Sequence, residues 1–439
     1  MKRAGGNTLG IYVSIPFCRS KCTYCNFASG VYPAADHERY IARLIDDAAG
    51  AAGWAAQMGA DLPRRVDTVY LGGGTPSLLA PDLLAKLFAA LRAYFEVDAD
   101  AEITVECAPG QLADAMPEAL AAAGVNRVSL GVQSFVDSEA HASGRLHDCA
   151  TVANDLRRLR AAGITNLNVD LIAGLAGQTH ASWKVSLEAV TESDVPHASV
   201  YMLEVDEDSR LGREVLKGGS GYRALEVPGD EAIAEMYERA IQRLDRAGLR
   251  QYEISNFARP GMESRHNLRY WLRRPYLGLG LDASSMLRAA PVVTGHDFSR
   301  AESLVPQSIG ASAPACGFVL RATSTDDLEQ YLAGSSIAET AWLSPERQHE
   351  EAWFLGLRMN AGVDVAAVRL EFGEELVEPA MATVERLAQD RLLTFDGQRV
   401  RLTGRGRLLS NEVFQEFLET GIGDEGPGIS SVASQLQGA

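Results

Sequence analysis

Long apolar runs are missing from this 439-residue chain. No stretch approaches the roughly 18 consecutive apolar residues that a membrane-spanning helix needs. Lys2 and Arg3 are followed by no apolar segment, so no secretory leader is expected. Basic charge is also short: 41 Lys and Arg stand against 58 Asp and Glu, a formal net charge of −17. That balance argues against nucleic acid or an anionic membrane as partner. Cysteine is sparse, with six in the whole chain, which excludes a disulfide scaffold. These absences point to a cytoplasmic, globular protein. At 46% hydrophobic residues it has material for an ample core and two or three domains.

Half of the cysteines stand together. Cys18, Cys22 and Cys25 follow the apolar stretch Ile11–Ile15 with the spacing C-x3-C-x2-C. Three thiolates are one ligand short of a closed structural zinc site, which takes four. They would leave one iron of a [4Fe–4S] cluster open to an outside ligand. The zinc reading needs a fourth ligand, for which His37 and Cys107 are the obvious candidates. Cys107, Cys149 and Cys316 are otherwise scattered and read as small buried residues.

From Ile11 to about Tyr201, short apolar runs alternate with helical periodicity. The expected strands are Ile11–Ile15, Val66–Leu71, Glu102–Glu106, Arg127–Gly131, Asn166–Ile172 and Ala198–Leu203. Between them, stretches such as Pro81–Phe95 and Thr151–Ala162 carry the 3.6-residue apolar pattern. Repeated strand–helix units imply a parallel α/β sheet, either an incomplete barrel or open. In α/β barrels the functional residues gather at the C-terminal ends of the strands. The unusual residues do follow the strands: the cysteine loop, then Gly72-Gly73-Gly74-Thr75-Pro76, Glu106, Gly131-Val132-Gln133, Asp170, and Tyr201 with Glu204.

Past Leu203 the alternation weakens. Residues 1–290 are expected to hold the barrel and its extension, and 291–339 a loop-rich connection. Helices followed by a hairpin at Asp396-Gly397 predict a small winged-helix-like domain over 340–418. The Gly/Ser-rich residues 419–439 read as a disordered tail.

The cysteine motif after a first strand and the glycine loop after a second resemble the radical SAM superfamily. Further motifs are similar to the oxygen-independent coproporphyrinogen oxidase family: Tyr12-Val13-Ser14-Ile15-Pro16-Phe17-Cys18, Gly131–Phe135, Gly144-Arg145-Leu146-His147 and Asn168–Ile172. Tyr252–Ala258 and His266-Asn267-x-x-Tyr270-Trp271 resemble its HemW-type heme chaperones. The resemblance covers about residues 10–415. It implies an incomplete (β/α)6 radical SAM barrel carrying a [4Fe–4S] cluster on Cys18, Cys22 and Cys25. It implies S-adenosylmethionine (SAM) contacts from Tyr12, Tyr24, Gly73, Gly74, Thr75, Glu106, Gln133, Arg145 and Asp170.

It also implies a heme or porphyrin ligand and an acceptor protein that the sequence does not identify. His266 is then a candidate heme ligand, with Tyr270, Trp271 and Tyr276 as walls and Arg269, Arg273 and Arg274 for the propionates. The other reading of His266 is a histidine whose hydrogen bonds support the Tyr270–Trp271 packing. The chain departs from the oxidases at Phe27, where they carry a further cysteine, and in its short stretch before Cys18. It departs from many chaperones at Ala283-Ser284-Ser285, where they show Ala-His-Ser. Heme transfer, oxidative decarboxylation of coproporphyrinogen III and another radical SAM reaction are the competing functions, and Phe27 with the His266–Trp271 motif favours the first.

Overall fold

The computed structural model describes residues 7–291, 317–334 and 336–418. Six parallel strands follow one another in chain order: β1 (Leu9–Ile15), β2 (Arg65–Gly73), β3 (Glu96–Cys107), β4 (Arg127–Gln133), β5 (Asn166–Ala173) and β6 (His197–Met202). Helices connect them. Pro81–Tyr94 starts on a proline at its first turn, where the missing N–H costs nothing, and buries Leu83, Leu84, Leu87, Phe88 and Leu91. Cys149–Ala161 is capped by Asp148, which accepts from the Thr151 N–H. His180–Glu192 opens on a Thr179/Ser182 capping box.

Parallel strands covered on both faces usually read as unbroken apolar runs. These alternate. Val69 and Leu71, Ile103 and Val105, Val128 and Leu130, Val169 and Leu171 lie in the core under the helices. Tyr70, Thr104 and Glu106, Ser129, Asn168 and Asp170, Ser199 and Tyr201 face a cavity on the other side. Period-two alternation therefore gives the sheet one dry face and one polar, concave face.

The sheet is wider than six strands. β7 (Tyr276–Leu279) pairs with β1 in parallel, on the side away from β2. Antiparallel β8 (Ser284–Ala289), β9 (Val319–Ser324) and β10 (Ile337–Leu343) extend that edge. At the other edge Asn256–Ala258 pairs antiparallel with β6. The sheet does not close. The expected loop-rich connection is thus corrected among its described residues. Two strands and the helix Leu328–Leu332 occupy much of it, because β8 offers a free edge that pairs β9, and β9 in turn pairs β10. The expected tail and Cys316 lie outside the described residues.

The C-terminal unit has the helices Pro345–Arg358, Val365–Phe372 and Glu374–Gln389 and a three-stranded sheet. In that sheet Val363–Asp364 and β11 (Leu393–Phe395) flank β12 (Arg399–Leu402). This is the small winged-helix-like arrangement expected over 340–418. Its own core includes Trp353, Val377, Val384 and Val400, and joins Tyr270, Trp271 and Tyr276 of the barrel. No helix among the described residues is long and apolar enough to cross a membrane.

Candidate cofactor site

The cysteine loop is held from several sides. Cys18 N–H donates to Gly30 O at 2.8 Å, and Gly30 N–H to Pro16 O at 2.9 Å, closing the loop on itself. Gly74 N–H donates to Ile15 O and Thr75 N–H to Phe17 O, both at 2.8 Å. A Cβ on Gly74 would lie 2.8 Å from Ile15 O and 2.9 Å from Phe17 O, so only glycine lets the two loops approach this closely. Thr23 N–H reaches Ser143 O at 3.0 Å, and Leu211 N–H reaches Thr23 O at 2.8 Å. The Phe17 ring, buried beneath the loop, stacks on His37 with centroids 3.9 Å apart.

The three thiols line a cavity of ≈ 430 Å³ at the C-terminal ends of the strands. Gly73, Gly74, Thr75, Tyr24, Glu106, Gln133, Arg145 and Asp170 line it too. Tyr70 O–H donates to Glu106 Oε1 at 2.8 Å. Burial still pushes the Glu106 carboxyl up to about 8, with the nearby Asp170 charge adding to the effect and the Tyr70 bond opposing it. Asp170 accepts from Ser129 Oγ at 3.0 Å and from Asn168 Nδ2 at 2.6 Å, and burial raises it as well. Arg145 donates to Tyr24 O–H from Nη2 at 2.9 Å and from Nε at 3.2 Å. Gln133 sits at φ 69°, a left-handed conformation that is strained for a side chain of this size. Its Oε1 is buried without a hydrogen-bond partner.

Eleven of the sequence-predicted residues thus share one cavity: Cys18, Cys22, Cys25, Tyr24, Gly73, Gly74, Thr75, Glu106, Gln133, Arg145 and Asp170. Tyr12 is not among the lining residues; its ring stacks on Tyr70 with centroids 6.1 Å apart. His266 is not brought to the cavity either. It is fully buried, Nδ1 bonding Thr68 Oγ1 and Nε2 bonding Tyr270 O–H, both at 2.9 Å. With both ring nitrogens engaged, no lone pair is free for iron. The expected walls are core as well: Tyr270, Trp271 and Tyr276 are at most 5% exposed. Arg269 is buried on Asp67 and the carbonyls of Thr8 and Pro275. Arg273 pairs with Glu371 at 2.7 Å. Support of the Tyr270–Trp271 packing is therefore the role this geometry gives the helix Arg265–Trp271.

Sequence reasoning placed Tyr201 at this end of the strands but missed Tyr70 and Arg358 as lining residues. For Tyr70 the signal was present, since it stands at a polar position of a strand that alternates. Arg358 had none, because the fold brings it from the end of a helix in another unit.

Residues 12–190 match the Radical SAM superfamily, and residues 343–409 match the HemN C-terminal domain. A heme chaperone HemW of Lactococcus lactis subsp. lactis (strain IL1403) is 32% identical over 407 residues, covering 93% of this chain and 96% of its own. One of Bacillus subtilis (strain 168) is 32% identical over 93% of this chain and 98% of its own.

The chain belongs to the HemW family.

In fold this HemW-family chain also resembles the coproporphyrinogen III oxidase HemN of Escherichia coli. The TM-score is 0.75 at 22% identity, covering 94% of this chain and 90% of that one.

Radical SAM membership implies a [4Fe–4S] cluster and SAM, and the cavity residues fit both. A zinc ion would draw its ligands to within about 2.3 Å of one point. Among the described residues no group of three or more His, Cys, Asp or Glu side chains is placed to hold a single metal ion. A cluster instead sets each thiolate on its own iron, around a volume, which is how three thiols lining one cavity can serve it. Burial raises the Cys18 and Cys25 thiols, and a positive centre bound to them would favour the thiolate. For SAM, the unpaired Gln133 Oε1 is an acceptor awaiting a donor, and Glu106 and Asp170 suit an ammonium or ribose hydroxyls. A Cβ at Gly131 would lie 2.9 Å from Arg145 Nη2, so this glycine leaves the guanidinium its place beside the cavity.

Proposed function

We propose that this chain is a heme chaperone, binding heme and passing it to an acceptor protein. The observation that carries the reading is the near full-length similarity to relatives named heme chaperone HemW, which spans 93% of this chain. Phe27, which lines the cavity beside the cysteines, supports it. The position that holds a further cysteine in the oxidase pattern offers no thiol here. The cluster, when bound, supplies an open iron for the methionine end of SAM. This chain's own part is to hold the three thiols, to accept from the SAM ammonium at Glu106, to pair a carboxylate at Arg145 and to offer Asp170 to the ribose. A reducing, cytoplasmic setting suits these thiols.

The test is anaerobic reconstitution followed by two assays on the same sample. Heme titration is expected to give a saturable Soret shift at about one heme per chain. Reduced, SAM-loaded protein is expected to leave coproporphyrinogen III unconverted. Repeated turnover to protoporphyrinogen IX would overturn the chaperone reading and establish the oxidase.

A further inference from the structure

Arg358 is a charged side chain with no hydrogen-bond or ion-pair partner among the described residues. It ends the helix Pro345–Arg358, is 6% exposed and lines the cavity. Its Nε is buried with no hydrogen-bond partner, and the guanidinium makes no direct ion pair with any described residue. One face lies on the Trp271 ring, with Cζ 4.3 Å from the centroid. Glu253 and Glu204 act on it only through space. Glu253 is fully buried and does not line the cavity; its Oε1 accepts from Ser255 N–H and Asn256 Nδ2. Glu204 is exposed at the cavity's edge, just beyond β6. Buried guanidinium groups ordinarily fork onto a carboxylate or phosphate, and leaving one unmatched is costly. Here the aromatic platform fixes the plane of the group and the cavity leaves its donors open.

We infer that Arg358 is the anchor for a ligand carboxylate on the β6 side of the cavity, and that this carboxylate is a propionate of heme. The second half rests on the heme-chaperone reading. The same chemistry has another source, the carboxylate of SAM, for which Arg145 stands nearer the cysteine loop, bonded to Tyr24. The C-terminal unit would then complete the binding site rather than only brace the barrel.

The experiment uses the anaerobically reconstituted full chain, titrated with heme and with heme dimethyl ester, which lacks both carboxylates. The intact protein is expected to favour heme by about tenfold or more, the worth of one charge-assisted hydrogen bond. Arg358→Gln is expected to bind the two alike, and Arg358→Lys to keep part of the preference. Glu204→Gln, at the exposed edge, removes a competing negative charge and is expected to raise the preference a few-fold. It decides the matter if Arg358→Gln does not fold: an unchanged preference there overturns the inference. Equal binding of heme and ester by the intact protein overturns it while sparing the chaperone reading. Failure to bind either overturns both. If Arg358→Gln keeps the heme preference but loses the SAM-induced change in the cluster's EPR spectrum, the carboxylate belongs to SAM and the propionate assignment falls.

Discussion

The cysteine loop after β1 and the helix Arg265–Trp271 are both dense in polar and aromatic side chains, and both are tied to β2. Around the first, groups are left open. Three thiols, the Gln133 Oε1 and the Glu106 carboxyl face a cavity. Along the second, His266 and Arg269 each find a partner inside the protein. The Tyr270 ring packs edge-on against Tyr276 at 4.7 Å, and the helix serves as the joint between barrel and C-terminal unit. The difference teaches that a run of chemically capable residues becomes a site only where the fold leaves its donors and acceptors unanswered.

The sharpest way to break this contrast is at the cysteines. Cys18→Ala, Cys22→Ala or Cys25→Ala should each abolish a cluster of about four iron and four sulfide per chain, while Cys149→Ala should leave it intact. Iron and sulfide analysis after anaerobic reconstitution checks this. Stoichiometric zinc without iron–sulfur absorbance would remove the open-iron account.

On the closed side, His266→Ala should cost about 2–4 kcal/mol of folding stability, because it strands the Thr68 and Tyr270 hydroxyls and leaves a buried void. Denaturant unfolding measures the loss. The Soret spectrum of the heme-loaded, folded fraction should stay as in the intact protein; an altered spectrum would move His266 to the open side.

A smaller effect concerns Glu106. Below about 8 its buried carboxyl keeps its proton and offers an ammonium only a neutral carbonyl oxygen; above, it ionises and pairs the charge. SAM affinity should therefore rise with pH toward 8, by up to about tenfold per unit, and level off above. Glu106→Gln should bind more weakly and lose the slope. A flat profile in the unaltered chain would mean that Glu106 does not face the ammonium.

The smallest effect belongs to Gly131→Ala. The added methyl meets the far ends of Arg145 and Gln133, side chains that can give way. SAM binding should weaken a few-fold with the cluster retained, as EPR would report; loss of the cluster would show that Arg145 also holds the cysteine loop.

Much of the barrel was legible because its signals are local. Short, largely apolar segments mark β1 to β6, and Asp148 and Thr179 are recognisable caps on two of the helices between them. That the three thiols would come together was legible from their spacing, and they line one cavity. Two kinds of information were not local. β7 to β10 form because partner edges arrive from elsewhere in the chain, so residues 291–339 read as a loop-rich connection. Whether His266 opens to a ligand depends on Thr68, a strand residue remote in sequence. Its neighbours in the motif look the same in either case. The polar period of two along β2 to β6 was readable, and it announces the concave polar face that holds Tyr70 and Tyr201.

The position of β1 has a consequence for the order of assembly. Gly10 is registered with Thr68 on one side and with Tyr276 on the other. During synthesis the first neighbour follows soon, and the second emerges only after the other five parallel strands. Until then the strand that carries the cysteine loop is an uncovered edge, and such edges invite pairing with other chains. Closing it requires a contact of very long sequence separation, a slow kind of step. The segment proposed to hold the cluster is therefore among the first to be made and among the last to be enclosed.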